Sequence, residues 1–481
     1  MIVGVYPGKA EMQVINKLVR LVKTVAMHID SDEAMAWWLT KKFGGHLFSI
    51  DPDVKFEFRS IQERLGAEHW AKLETLVIGS GGDVYDEHVS GERAREEKQC
   101  SSTKAARHLG ITDPTILRIA EEVCRYDYGT GCPKTHLGTL LKIFRNKNRA
   151  TGKGSDDITS MTALKWALQV IDVVYGATAN PEGKELKNQM PPFGEFVDRL
   201  INDDLSNEFT DDDALCGLRR AIADDRGKAD TLTLENIFRC LWQTSEETQA
   251  RKIGEDIKDH ILFALSLIYW DQQSFHSFKR EMLAVQNTPT SPFFRVNGWC
   301  EGRAFQIMVA AVRTPNRHAH SVLRSMKAQV TVVEDENGHV TIMGDKRAIG
   351  FIDEGFVSMA AMLRYSELDD AKRGLSSWSL LSVRGSCPTT PEWYLGDVGW
   401  LLIANGTDNF KDVPKTKLTL QQIIRICRDA FNPNNVRIWK EKNRVPADRA
   451  QEALRETAVS LREGPNGLDS LGRVMDAARK S

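Results

Sequence analysis

Apolar residues recur in short runs near the start of the chain and at helical spacing further along. Residues 21–28 form a short apolar run that stops at Asp30-Ser31-Asp32-Glu33, and a helical pattern through Met35, Ala36, Leu39 and Phe43 follows. Residues 55–58 and 73–78 are two further strand candidates with a charged helical stretch between them. The third strand runs into Gly79-Ser80-Gly81-Gly82. This βαβαβ rhythm predicts a parallel sheet whose ligand site lies outside the carboxyl ends of its strands.

From residue 101 to about 285 the pattern turns mainly helical. Helices are predicted at 101–109, 113–124, 136–144, 161–174, 193–201 and 211–222, with a long one around 254–283. The polar interval 286–292 reads as a boundary. Beyond it, 304–312 and 329–333 read as strands flanking a helix around 318–326, and Asp335-Glu336-Asn337-Gly338 reads as a hairpin turn before 339–343. A helix at 352–363 and a short strand at 401–404 follow. Residues 420–481 read as helices on a polar background, a clamp or an oligomerisation arm. The fold class is therefore α/β, with a parallel-sheet domain, a largely helical extension and a second α/β domain.

Composition narrows the partners more than the fold. At 481 residues the chain exceeds one ordinary core, and 41% hydrophobic with 27% charged residues is a globular balance. A formal charge of −2 argues against a protein that coats nucleic acid over its whole surface, while leaving room for a local basic groove. No run of 18 apolar residues occurs, and Arg20 and Lys23 interrupt the most apolar early stretch, so the expectation is a cytoplasmic protein without a membrane partner. Eight scattered cysteines without a CxxC pair read as reduced, structural thiols.

Two acidic clusters fall where predicted strands end. In His28-Ile29-Asp30-Ser31-Asp32-Glu33, Asp30 and Asp32 are spaced to share a cation, and their hard oxygens suit Mn²⁺ or Mg²⁺; a nitrogen from His28 favours Mn²⁺. Asp32 also reads as a helix cap and Asp30 as a turn residue. In Gly81-Gly82-Asp83-Val84-Tyr85-Asp86-Glu87-His88, Asp86 and His88 offer an oxygen and a nitrogen donor behind turn glycines. A third signal is Asp127 in Arg125-Tyr126-Asp127-Tyr128-Gly129, either a further ligand or a solvent-facing turn residue. The run Lys142, Arg145, Lys147, Arg149 and Lys153 suits either a phosphate track or a solvated face.

His28-Ile29-Asp30-Ser31-Asp32 resembles the first motif of the DHH phosphoesterase superfamily, and Asp86-Glu87-His88 resembles a variant of its Asp-His-His motif. With Glu33-Ala34-Met35-Ala36 and Cys100-Ser101-Ser102-Thr103-Lys104-Ala105-Ala106, the chain is most similar to the melanocyte-proliferating-gene exonuclease branch. In the later part, residues 306–343, Trp393-Tyr394 and Ile403-Ala404-Asn405-Gly406-Thr407 resemble the accessory substrate-binding domain of such enzymes. The resemblance implies a DHH-like metal-binding domain at 1–150, a helical extension at 151–290, a substrate domain at 291–415 and a helical tail at 416–481. It implies one or two Mn²⁺ or Mg²⁺ ions held by His28, Asp30, Asp32, Asp86, His88 and Asp127, with Asp30, Asp32, Asp86 and His88 catalytic.

The implied activity is phosphodiester hydrolysis, with 3′ to 5′ exonuclease action on single-stranded nucleic acid. Lys142, Arg145, Lys147, Arg149, Arg313, Asn405 and Gly406 would bind substrate, although Arg313 and Asn405-Gly406 also read as ordinary helix-entry or hairpin residues. A nucleotide or cyclic dinucleotide is the second substrate class and inorganic polyphosphate the third. The sequence departs from the family pattern in two places: Gly79 stands where the second motif carries an aspartate, and Glu87 replaces the middle histidine. Loss of a carboxylate removes a ligand, so the alternative is a noncatalytic nucleotide- or nucleic-acid-binding protein.

Overall fold

A computed structural model describes residues 17–24, 30–58, 66–79, 82–86, 99–128, 131–150, 157–179, 190–226, 228, 230–243, 250–300, 303–345, 349–369, 373, 376–387, 389–396, 401–405 and 414–443. It has a mixed α/β architecture with two sheet-containing regions and a helix-rich segment. The chain divides into two compact units, 1–272 and 273–481. Among the described residues, no helix is long and apolar enough to cross a membrane.

The first unit opens with β1 (Lys17–Thr24), α1 (Ser31–Phe43), β2 (Phe48–Phe58), α2 (Ala67–Lys72), β3 (Thr75–Gly79) and β4 (Tyr85–Asp86). The four strands form a parallel sheet in the order β2-β1-β3-β4. Strand β1 starts four residues before the predicted run, and Lys17 there pairs with the buried Asp83 at 2.9 Å. Strand β2 is longer than its apolar signal because it crosses Asp51-Pro52-Asp53. Proline donates no hydrogen bond, and the pairing with β1 shifts register between Val19 and Leu21 across that segment, as an edge strand tolerates.

Helix α1 is buried over its first ten residues. Such a helix has no solvent face: α3 (Ser101–His108), α4 (Pro114–Tyr128), α5 (Leu137–Ala150), α6 (Asp157–Ala179) and β3 all touch it. Trp37 and Trp38 fill the space on either side, with Trp38 edge-on to Tyr175 at 5.3 Å. Helices α7 (Phe193–Asp203), α8 (Asp212–Asp225), α9 (Leu234–Gln243) and α10 (Ala250–Val285) complete the helix-rich segment. The division between units falls within α10, whose last turns carry Phe278 and Met282 into a cluster with Val312, Ala319 and Val322.

The second unit holds a seven-stranded mixed sheet of β5 (Phe293–Cys300), β6 (Arg303–Arg313), β7 (Val330–Glu334), β8 (Val340–Gly344), β9 (Gly385–Cys387), β10 (Thr390–Leu395) and β11 (Leu402–Asn405), in the order β5-β6-β7-β8-β11-β10-β9. Its one parallel pair, β6 with β7, needs a crossover, and α11 (Ala319–Ser325) supplies it. The predicted turn at 335–338 joins β7 to β8: Asp335 accepts the amides of Asn337 and His339, and Gly338 takes φ +80°.

Helix α12 (Ile349–Glu367) lies against β10 and carries Arg364, whose side chain is fully buried. Its guanidinium donates to the carbonyl oxygens of Leu381, Val383, Gly385 and Trp393 at 2.6–3.2 Å. A planar five-donor fork satisfies four carbonyls, from Leu381 at the end of helix α13 (Trp378–Leu381), the following Val383, Gly385 of β9 and Trp393 of β10. Removing it strands those acceptors in the interior. Arg364→Met is therefore expected to lower stability by about 3–5 kcal/mol, read as a lower urea midpoint. Arg437→Met, which breaks an exposed pair with Glu441, is expected to cost less than about 1 kcal/mol; comparable costs for the two variants would refute the proposed role of Arg364.

Candidate metal and phosphate site

The amino terminus of α1 lies past the carboxyl end of β1, as a parallel sheet dictates. Asp30 is its N-cap: Oδ1 accepts the amides of Asp32 and Glu33 at 3.0 Å, and Glu33 reaches back to the Asp30 amide in a capping box. Asp32, 2% exposed, makes its contacts across the chain. Its Oδ2 accepts the Ser101 amide and its Oδ1 the Ser102 amide, both at 2.9 Å, at the start of α3. A carboxylate at a helix amino terminus satisfies two orphan donors and meets the positive end of the helix dipole. Ser101 Oγ in turn donates to the Tyr85 carbonyl at 3.1 Å, tying α3 to β4.

Asp86 ends β4 with 2% exposure, and its Oδ2 accepts the Gly82 amide at 2.7 Å; Lys104 Nζ donates to its carbonyl. Gly79, its register partner on β3, has φ +93°, a conformation that disfavours the aspartate expected there by the resemblance. The neighbouring Asp83 accepts from Lys17 and from the Val77 amide, so it locks β1 to β3.

Asp127 was expected in a loop after a helix; it lies instead in the last turn of α4, which extends to Tyr128. The helix continues because Ile116, Ile119, Ala120 and Val123 keep an apolar stripe against α1, and Glu122 anchors its inner face. Glu122 accepts from His136 Nε2 at 3.0 Å and from the Leu232 and Thr231 amides. Burial raises its pKa, but the hydrogen bonds from His136 and Thr231 prevail and hold it below the ordinary value. The Gly138 amide points at His136 Nδ1 at 3.1 Å. Burial pulls the His136 pKa down, but its hydrogen bonds with Cys132 and Glu122 prevail and raise it to about 9, and the bond to Glu122 fixes α4 against the start of α5.

Gly138 is also where α5 meets α1: a Cβ there would lie 2.8 Å from Ser31 Oγ. With that close approach, α5 brings basic residues to the acidic cluster. Burial first, and then the charge of Asp32, raises the Asp30 pKa from 3.8 to about 6, against the pull of two backbone hydrogen bonds and Arg145. Asp127 rises to about 7, first by desolvation and then by the charges of Asp30 and Asp32, with Lys142 acting in the opposite direction. The Asp127 side chain is nonetheless exposed.

The structure thus brings Asp30, Asp32 and Asp127 into mutual electrostatic reach, with Lys142 and Arg145 beside them. Lys147 lies further along α5, half-buried, and of Arg149 only the backbone is described. His28, Glu87, His88, Lys153 and Gly406 lie outside the described residues. In the second unit, exposed Arg313 pairs with Glu334. Asn405 is fully buried: its amide nitrogen donates to the carbonyls of Glu392 and Pro414, and its oxygen accepts the Thr416 amide. These bonds occupy Asn405 in holding the end of β11.

Among the described residues, no group of three or more His, Cys, Asp and Glu side chains is placed to hold a metal ion. The donor chemistry fits a hard cation in part: Asp30 and Asp127 carry negative charge that burial and their neighbours penalise, and a carboxylate oxygen bonded to one amide retains a second lone pair. Comparison of the chain with protein-family models, curated proteins and solved structures yields no match.

A carboxyl whose folded pKa exceeds its unfolded one stabilises the fold fully below the unfolded value, and that contribution is lost as pH rises through the folded value. For Asp127 the window runs from 3.8 to about 7. Urea unfolding across this range is expected to show Asp127→Asn gaining stability relative to the wild type as pH rises. In the wild type, carboxyl NMR should show the Asp127 midpoint fall when Asp30→Asn is introduced. A midpoint unmoved by that substitution would separate the two residues electrostatically.

Proposed function

We propose that the first unit is a divalent-metal-dependent phosphodiesterase of the DHH type, acting on single-stranded nucleic acid. The observation that carries the reading is Asp127. Its carboxyl, 97 positions from Asp30, has its pKa raised first by burial and then by the charges of Asp30 and Asp32, with Lys142 acting in the opposite direction. Acidic groups that repel one another are costly to keep together, and a bound cation reverses that cost.

No three of the described carboxylates converge as placed, so the ion would draw Asp30, Asp32 and Asp127 together, with Asp86, His28 and His88 as the further donors implied by the resemblance. When bound, a Mn²⁺ or Mg²⁺ ion activates water and neutralises charge at phosphorus. The chain's own residues position the substrate. Lys142, Arg145 and Arg149 recur at spacings of three and four along α5, so they share a helical face. Lys142 and Arg145 would orient the scissile phosphate, and Arg149 and Lys147 would continue the backbone contact. The Asp32 bonds to α3 keep α1 from moving as charge develops. Preorganised charge of this kind lowers a barrier because it needs no rearrangement during the reaction.

The second reading is a noncatalytic nucleotide- or nucleic-acid-binding protein. It is favoured by Gly79, whose positive φ leaves β3 without a carboxylate, and by Asp32, both of whose oxygens already accept amides. The two readings diverge with the purified chain, Mn²⁺ and an end-labelled single-stranded oligonucleotide. Asp30→Asn and Asp127→Asn are each expected to reduce cleavage at least a hundredfold with unchanged circular dichroism, and Asp127→Asn to raise the Mn²⁺ concentration at half-maximal rate. No Mn²⁺-dependent cleavage by the wild type, together with retained binding, would decide for the second reading.

A further inference from the structure

The second unit carries a surface that the phosphodiesterase reading does not use. Helices α14 (Leu420–Ala430) and α15 (Pro433–Lys442) lie beside the end of α12 and the short helix α13 (Trp378–Leu381). Between them are two adjoining cavities of about 440 and 350 Å³, both walled by Tyr365, Trp439 and Asn443. Each falls at the smaller end of the range for small-molecule sites.

Three aromatic rings line this groove. Trp439 stands edge-on to Tyr365 at 4.7 Å and to Trp378 at 5.5 Å, and all three remain half-buried. Core aromatics are ordinarily covered; these form a wall. Cations surround them: Arg373 lies 5.5 Å from the Tyr365 ring centre and Lys440 4.5 Å from that of Trp378, while Arg425 and Lys442 line the larger cavity. Glu441 is the acidic residue lining the smaller cavity. That cavity is also lined by Ser376, only 2% exposed, whose hydroxyl has no hydrogen-bond partner among the described residues. A buried hydroxyl without a partner loses its hydration uncompensated, so a ligand acceptor at this place satisfies an existing need.

Apolar ring faces, excess positive charge and an unpartnered donor together describe one ligand chemistry: stacked bases joined by phosphates. We propose that this groove binds single-stranded nucleic acid, with bases stacking on Tyr365, Trp378 and Trp439. Phosphates meet Arg373, Arg425, Lys440 and Lys442, and the Ser376 hydroxyl donates to the strand. An acidic peptide would meet the same cations, two of which already lie over the Tyr365 and Trp378 rings, so polyglutamate is the competing ligand to test. The inference does not depend on hydrolysis at the first unit, since the groove lies wholly within residues 365–443.

The test is fluorescence anisotropy of a labelled 12-nucleotide oligouridylate with the full-length protein in EDTA, which removes metal-dependent cleavage. Arg425→Glu with Lys442→Glu, both exposed and therefore tolerant of substitution, is expected to weaken binding at least tenfold. It should also flatten the slope of log affinity against log salt by about 1.4, the value for two lost phosphate contacts on a single strand. Trp378→Leu, with folding checked by circular dichroism, is expected to weaken binding roughly tenfold with the salt slope unchanged. Wild-type binding in EDTA that the charge reversal weakens, with no cleavage in Mn²⁺, would support the groove and refute the proposed active site, which separates the two failures. An unchanged affinity and slope in the charge-reversed variant would overturn the proposal. So would equal affinity for a 12-residue polyglutamate, which would mark the groove as a general anion surface.

Discussion

The candidate site depends on one buried carboxylate. Asp32 accepts the first amides of α3 with both oxygens, and those donors lie 69 and 70 positions away. A charge with 2% exposure persists only where hydrogen bonds compensate its desolvation. Here the compensation comes from the amino end of a helix, which cannot turn aside without exposing its own unpaired donors. The start of α1, and with it Asp30, is consequently fixed against α3, and Ser101 extends the tie to the end of β4.

A second internal bond fixes the opposite wall. Glu122 and His136 hold α4 to the residues that enter α5, while Gly138 permits α5 to approach Ser31. Asp127 lies five positions after Glu122, and Lys142 lies six after His136, so the buried pair sets the acidic residue against the basic one. Neither Glu122 nor His136 needs to meet a ligand for this to matter. Their work is the relative placement of two helices, which decides whether three acidic groups feel one another's charge.

The second unit solves the problem of internal polar groups with the opposite sign. Arg364 brings a cation into the interior and spends its donors on four backbone carbonyls. Three positions on, Glu367 accepts from Trp393 Nε1 and from Thr416 and Lys417. Both residues therefore act on β10 and the segment after β11 and leave the aromatic wall at Tyr365 to face outward. The groove owes its shape to a framework that local sequence does not announce.

Local signals in the chain determined a good part of this protein. The parallel βαβ opening, the long helix around 254–283 and the turn at 335–338 all follow from interactions spanning a few residues, and periodicity and turn chemistry report those directly, whereas the cap of α1 falls on Asp30 and not on Asp32, whose carboxylate is taken by distant amides. The first half of β2 was hidden by Pro52, β10 by Pro391 and the three-residue β9 by its brevity, because pairing with a neighbour stabilises them rather than their own pattern. Tertiary structure alone decided what the charged residues do. The same aspartate type caps its own helix at Asp30, joins two elements at Asp32, locks two strands at Asp83 and carries a raised pKa at Asp127. Asn405, legible as a ligand-facing turn residue, became a buried bracket. The reason is physical: hydrogen-bond partners and local dielectric are set by residues tens of positions away, and no window along the chain contains them.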